Sequence, residues 1–282
     1  LLYPLTRGRE QGWPLWGYLS MAGSALVFAA LVAFEKRKAA RDGSPLVELS
    51  LFKVKSFAAG IAVQTVFGIA LGIFFLVWTL YMQEGLGWTA LRAGLTGVPF
   101  SIAVSAAAGM SVQLLVPRFG RKVLQAGALL MAFGVLLYIW ESDRYGMDIA
   151  PWQMALPLVV MGAGMGFIVA PLTDAVLSDV PREHAGSASG LINTVQQMGN
   201  ALGLGLVSVV FFGEISDHLT RSQVGPAFVN AFQHALGWVA GVLVVIFLVM
   251  FALPKKPAQH VEGVEDAVVT GETDPKQPEL VG

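Results

Sequence analysis

Four carboxamides within eight residues, Asn193, Gln196, Gln197 and Asn200, interrupt an otherwise apolar run, Ala188–Phe212. An amide donates and accepts hydrogen bonds, so such a group can hold a polar or cationic molecule without covalent chemistry. At about 100° per residue from Gly186, the four share with Ser189 one arc roughly 100° wide, which continues as Leu204, Val207 and Phe211. One half of the run thus has a wet face and the other half an apolar one. An amide turned to hydrocarbon would leave its donors and acceptors unpaired, which is expensive. These residues must face other helices or a water-filled cavity. Two readings stand: interhelical hydrogen bonds worth about 1 kcal/mol or less each, or the lining of a cavity.

A second stripe is greasier. Gln64, Gly68, Leu71, Phe75, Trp78 and Met82 recur on one helical face. Aromatic and Met surface with one amide suits large apolar ligands, and also ordinary helix packing. Ser101, Ser105, Gly109 and Gln113 put a small or polar residue at every fourth position of a third run, a packing pattern first and a substrate path second. Gly162, Gly164 and Gly166 strip side chains from a helix and let neighbouring backbones approach, and Gly190 belongs to the same packing set. No strand precedes this G-x-G text, which excludes a dinucleotide loop. Pro171 follows, where a helix can kink or stop. The short segment Pro117-Arg118-Phe119-Gly120-Arg121-Lys122 holds three cations around a glycine suited to a positive-φ turn. It reads as a gate that pairs with acids on a neighbouring helix end, or as simple charge anchoring.

Enzyme chemistry finds little support. There is no cysteine, hence no disulfide, thiolate metal site or Cys nucleophile. None of the four histidines, His184, His218, His234 and His260, is expected in mid-span, and no cofactor, metal or nucleic-acid site is expected. Asp174, Asp179, Glu183, Glu84 and Glu141 all fall near the ends of apolar runs.

The elements that must position these residues are seven apolar runs: Gly17–Phe34, Phe57–Tyr81, Leu95–Val116, Val123–Trp140, Trp152–Thr173, Ala188–Phe212 and Gln233–Leu253. Each is long enough, at about 1.5 Å per residue, to cross a hydrocarbon core about 30 Å thick. Seven such runs in 282 residues cannot be a soluble core. Hydrophobic residues make up 55% and charged residues 13%, with mean hydropathy +0.65, against about a quarter charged in a globular domain. An all-α membrane protein follows. Thirteen of the 18 Lys and Arg residues fall on one side of the resulting topology, the side of the 36–55 loop, the 118–122 loop and the C-terminus. The positive-inside rule makes that side cytoplasmic. Trp13, Trp16, Trp78, Tyr81, Trp88, Trp140 and Trp152 fit interfacial belts. Three regions result: 1–56 (outer loop, one transmembrane helix and basic loop), 57–253 (six-helix bundle) and 254–282, an acidic, Pro- and Gly-containing tail expected to be disordered. The odd number of runs and a start at Leu1 predict the back part of a longer membrane protein.

On these motifs the chain resembles the major facilitator superfamily, specifically its fourteen-spanner drug:proton antiporters of the EmrB/QacA type. Arg118-Phe119-Gly120-Arg121-Lys122 is similar to that superfamily's D-R-x-G-R-R loop, with Pro117 where the acid would be. Gly162-x-Gly164-x-Gly166…Pro171, Val180-Pro181, Gly186-x-Ala188-Ser189-Gly190 and Gln197-x-Gly199-Asn200-x-Leu202-Gly203 resemble its penultimate helix pair, although Asn200 is more often Gly there. Gly12-Trp13, Pro45-Leu46, Leu51-Phe52 and Phe57 also fit. The resemblance implies one linker helix followed by the C-terminal six-helix bundle of a plasma-membrane exporter. It implies expulsion of small lipophilic or cationic compounds against inward proton flow, by rocking of two bundles about a midplane cavity. The coupling acid would then lie in a missing N-terminal half, without which this part does not transport. On that basis Gln64, Phe75, Trp78, Asn193, Gln196, Gln197 and Asn200 are cavity candidates, and Arg118, Gly120 and Arg121 gate candidates. An exporter of a metabolite, siderophore or lipid-like product is the alternative, and a non-transporting membrane scaffold the weaker one.

Overall fold

The computed structural model describes residues 15–42, 51–52, 54–177, 180–181, 184–214 and 221–252. Gly12-Trp13, Pro45-Leu46, Asp179, Glu183, His218, His260 and the 254–282 tail lie outside them. The described residues form helices and turns, with no strand among them. Helix α1 is Leu15–Asp42. Helix α2, Lys55–Leu80, runs on into a π-helical turn, Tyr81–Gly85. The third span is assembled from α3 (Ala90–Thr96), α4 (Val98–Met110), a second π turn (Ser111–Leu115) and α5 (Val116–Phe119). Then come α6 (Lys122–Tyr145), α7 (Pro151–Leu177), α8 (Ala185–Glu214) and α9 (Arg221–Val249), which ends in a 3-10 turn, Met250–Ala252.

Each apolar run is a helix, so backbone hydrogen bonds are satisfied within the segment, as hydrocarbon requires. Among the described residues, six of the helical spans are long and apolar enough to cross a membrane. α8 has the length to cross as well, at 30 residues and about 45 Å. Of the two outcomes open at Pro171, a kink or a stop, the stop does not occur, because α7 continues to Leu177. One expectation changes. His234 lies in the middle of α9, because that helix begins at Arg221 and not near Gln233. The polar text Arg221–Gln233 masked the start of the helix in the hydropathy pattern.

Packing follows the glycines. α7 sits between α4 and α6. A Cβ on Gly162 or Gly166 would lie 2.5 or 2.6 Å from the carbonyl oxygens of Phe100 and Val104 in α4, and one on Gly164 would lie 2.5 Å from the Met131 nitrogen in α6. Without side chains at these points the backbones come close enough for dispersion and packing to hold helices together where water supplies no driving force. Gly190, by contrast, meets nothing within 4 Å, so the packing expected there is absent among the described residues. α9 packs on α6 and α2, and α2 on α8. α1 stands apart in character: Leu19, Leu26, Val27 and Phe34 are all exposed.

An aromatic core joins α2, α6 and α9 near the ends where the π turn begins. Tyr81 stacks on Phe232 with ring centroids 4.2 Å apart, and Tyr138 meets Phe232 edge-on at 5.2 Å. The Trp78 indole N–H donates to the Tyr138 hydroxyl at 2.9 Å. Trp78 and Tyr81 are therefore core residues and not members of an interfacial belt, whereas Trp140 and Trp152 are exposed as a belt requires.

Candidate functional site

The site is organised by the α2–α8 seam. Gly68 and Gly72 of α2 face Gly199 and Gly203 of α8, with the Gly68 and Gly72 positions set against the Gly199 and Asn200 backbone. Residue numbers rise together along both helices, so they run parallel. A Cβ on Gly68 would sit 2.6 Å from the Gln196 carbonyl oxygen, and one on Gly72 would collide with that of Asn200. Both helices thus carry glycines four apart on the contacting face, a small-xxx-small pair. By spacing alone Gly68 falls in a ligand stripe, and Gly199 and Gly203 fall in a family pattern. The signal for the seam was present as glycines at i, i+4 in two separate runs.

Helical geometry then sorts the neighbours. One residue past the seam glycines of α8 come Asn200 and Leu204, with Asn193 and Gln197 further round the same way. Gln64, Leu71 and Phe75 lie on the corresponding side of α2. Asn193 and Gln197 are exposed, and Gln196 and Asn200 are half-buried. Asn200 Nδ2 donates to Gln197 Oε1 at 3.1 Å. Its Oδ1 is buried with no hydrogen-bond partner. This arrangement orients the pair: the Gln197 oxygen is occupied and the Asn200 oxygen is left as an acceptor.

Around this side stand groups of different kinds. Gln64 is buried at 4% exposure. Phe75 is 38% exposed and sets its ring edge against Phe100 of α4 at 5.8 Å. Ser101 and Ser105 of α4 are exposed, and each hydroxyl donates to the carbonyl one turn back, at Gly97 and Ser101 respectively. Such back-bonding leaves each hydroxyl oxygen able to accept. Trp78 differs from the expectation. It is 7% exposed and stacks on Phe74 at 5.7 Å, and its N–H is already satisfied by Tyr138, so it supports the site's wall from behind.

The basic segment is built as a turn. Gly120 adopts φ 54 and ψ −133, a conformation that β-carbon-bearing residues rarely reach. Arg118 is exposed. Arg121 Nη1 donates to the Phe251 carbonyl oxygen at 2.8 Å, and its guanidinium lies 5.5 Å from the Phe251 ring centre. By sequence the segment either pairs with an acid on a neighbouring helix end or anchors by charge; one partner of Arg121 in the structure is a helix-end carbonyl, which carries partial negative charge.

Of the acids, Asp174 and Glu84 are exposed. Glu141 lies inside α6, four residues before its end, with Oε2 buried and without a partner.

Comparison with known proteins gives a consistent result. Residues 10–204 match the family model described as Major Facilitator Superfamily. The "Probable actinorhodin transporter" of Streptomyces coelicolor is 36% identical over 79% of this chain and 38% of its own length. The "Multidrug resistance protein Stp" of Mycobacterium tuberculosis is 31% identical over 80% of this chain and 41% of its own. The "Tetracenomycin C resistance and export protein" of Streptomyces glaucescens is 26% identical over 93% of this chain and 44% of its own. The chain thus spans less than half the length of each of these three relatives.

Proposed function

The chain belongs to the Major Facilitator Superfamily, and from that premise we propose that it supplies the C-terminal six-helix bundle of an exporter of drugs or antibiotic-like natural products. The relatives named for actinorhodin, multidrug resistance and tetracenomycin C support that cargo class. Substrate passes the amide side of the α2–α8 seam. One observation carries the reading: Asn193 and Gln197 are exposed amides on one flank of the seam, with Asn200, whose Oδ1 is buried without a partner, beside them, polar groups that a ligand can satisfy and hydrocarbon cannot. Asn193 and Gln197 extend the polar track, Phe75 offers an aromatic face, and Gln64 lies behind.

Transport proceeds by alternating access, driven by inward proton flow. Arg121 latches the basic turn to the end of α9 in one state and releases it in the other, with Gly120 permitting the turn and Arg118 facing the aqueous side. The C-terminus is cytoplasmic in the plasma membrane, consistent with the Lys and Arg bias, and the parent is of the fourteen-spanner type, with α1 as a linker helix. No covalent step is involved.

The test uses the full-length parent protein in inside-out vesicles. A proton gradient is imposed, and cationic dyes and lipophilic drugs are added. Partial collapse of the gradient on drug addition, lost with Gln197→Leu at unchanged membrane abundance, is the expected result. No response across a broad drug panel moves the reading to a metabolite or lipid-like cargo. Equal loss of abundance and transport makes the amides packing groups.

A further inference from the structure

The hydrogen bond inside the amide flank fixes what that flank offers to a ligand. Asn200 Nδ2 donates to Gln197 Oε1 at 3.1 Å. The Gln197 oxygen is thereby engaged, while its nitrogen keeps two N–H groups. That nitrogen has no hydrogen-bond partner among the described residues. Gln197 is exposed, on a stretch of α8 where Asn193, Thr194 and Met198 are exposed as well. The reverse orientation of the pair would leave the Gln197 oxygen as the free end. It would also bury the Asn200 nitrogen with two unpaired N–H groups in place of one oxygen, and orphaned buried donors are rarer than under-satisfied oxygens. Asn200, half-buried beside Gln197, thus selects which end of the Gln197 amide is free.

We propose that Gln197 donates to a carbonyl oxygen of the cargo, that Asn200 is the positioning residue that keeps this donor free, and that the exporter takes uncharged, carbonyl-bearing aromatic compounds in preference to cations. The proposal rests on the reading that cargo passes this flank. An N–H group ends in partial positive charge, which attracts an acceptor oxygen and repels a cation. In a site of low dielectric water does little to blunt that difference. The aromatic part of the class comes from Phe75, which is 38% exposed and braced by Phe100 at 5.8 Å. Gly72 lies against the Asn200 backbone in the parallel seam. Phe75 is three residues past Gly72, and Gln197 is three before Asn200. Donor and ring are therefore about 9 Å apart along the helix axes. One elongated molecule bridges that span, with its carbonyl at one end and a ring at the other.

The test measures binding of two matched probes to the full-length parent in nanodiscs. N-phenylacridone is uncharged and carries a carbonyl across the molecule from its phenyl ring. N-phenylacridinium has the same frame, a permanent positive charge and no carbonyl. Wild-type protein is expected to bind the acridone about tenfold more tightly, the scale of one hydrogen bond in a buried site. The infrared carbonyl band of bound, isotope-labelled acridone should lie below its position in hexane, and return towards it in Gln197→Met. In Asn200→Asp the carboxylate accepts from Gln197 Nε2 and frees the Gln197 oxygen instead, so the preference should reverse. Gln197→Glu, which leaves Asn200 in place and presents a carboxylate oxygen, should reverse it too, and serves if Asn200→Asp fails to fold. Tighter or equal binding of the acridinium by wild type overturns the proposal, as does an unshifted carbonyl band. Equal weakening of both probes in Asn200→Asp and Gln197→Glu makes the pair structural and overturns it as well. So does failure of both probes to bind a protein whose drug response depends on Gln197; in that case the flank still carries cargo, and only its polarity is wrong. A drug response indifferent to Gln197→Leu removes the flank reading itself, and the proposal with it.

Discussion

The two sides of the α2–α8 seam share one pair of helices and one set of glycines, yet they carry opposite chemistry. On one side Asn193, Gln197 and Asn200 stand with Phe75, and a buried amide oxygen lacks a partner. On the other, Ile69 and Ile73 of α2 and Leu206 of α8 border a hollow with only hydrocarbon around it. The difference arises from a rotation of about 100° along each helix. Glycines at the seam let the backbones touch, so each flank begins at the next residue and no side chain blurs the boundary. A helix in a membrane can thus present a polar path and a lipid-like surface within one turn, provided the contact between them is thin.

The strongest way to break this contrast is to push the seam apart. Gly72→Val drives a branched side chain into the Asn200 backbone, an overpacking cost of about 1–3 kcal/mol. Loss of monodisperse full-length protein in fluorescence-detected size exclusion is the expected outcome, with both sides lost together. Wild-type behaviour would mean that the seam is looser than the geometry shows.

A smaller effect is expected from the amide side alone. Asn200→Leu removes the acceptor oxygen and the bond to Gln197. Transport of hydrogen-bonding substrates should fall about tenfold, equivalent to about 1.4 kcal/mol, with membrane abundance and thermal midpoint nearly unchanged. Transport of purely apolar substrates should fall less. Equal loss for both classes would erase the polar character assigned to this flank.

Arg121→Ala comes next. It removes the bond to the Phe251 carbonyl and the contact with its ring. Turnover in proteoliposomes should change severalfold while substrate affinity stays close to wild type. Arg121→Lys, a point charge without the planar fork, should recover part of that change. Identical turnover in all three proteins would remove the latch.

The smallest effect belongs to the apolar flank. Leu206→Ala enlarges a hollow already open on one side, so a modest loss of thermal stability is expected with drug transport unchanged. A selective transport defect from Leu206→Ala would show that the two flanks are not functionally separate.

Much of this was legible in the chain. The apolar runs marked every long helix, because hydrocarbon admits only segments that satisfy their own backbone. The positive-φ turn at Gly120 and the close approaches at Gly162, Gly164 and Gly166 followed from residue type. The start of α9 was not legible, since Arg221–Gln233 has polar residues that hide a helix when only hydropathy is read, and His234 was therefore misplaced at a helix end. Trp78 read as a ligand surface because periodicity gives a face and not what stands opposite it. Its N–H turned out to be satisfied by a Tyr138 hydroxyl sixty residues away.

Local chemistry by itself determined that this is an all-helical membrane chain with an amide stripe, since apolar length and side-chain type act segment by segment. Tertiary structure alone decided which glycines became the seam, that Arg121 reaches the carbonyl at the end of α9, and that Asn200 keeps one oxygen unpaired. Those outcomes depend on which helix lies against which and at what rotation. Contacts between distant segments set both, and the spacing of residues within one segment does not contain them.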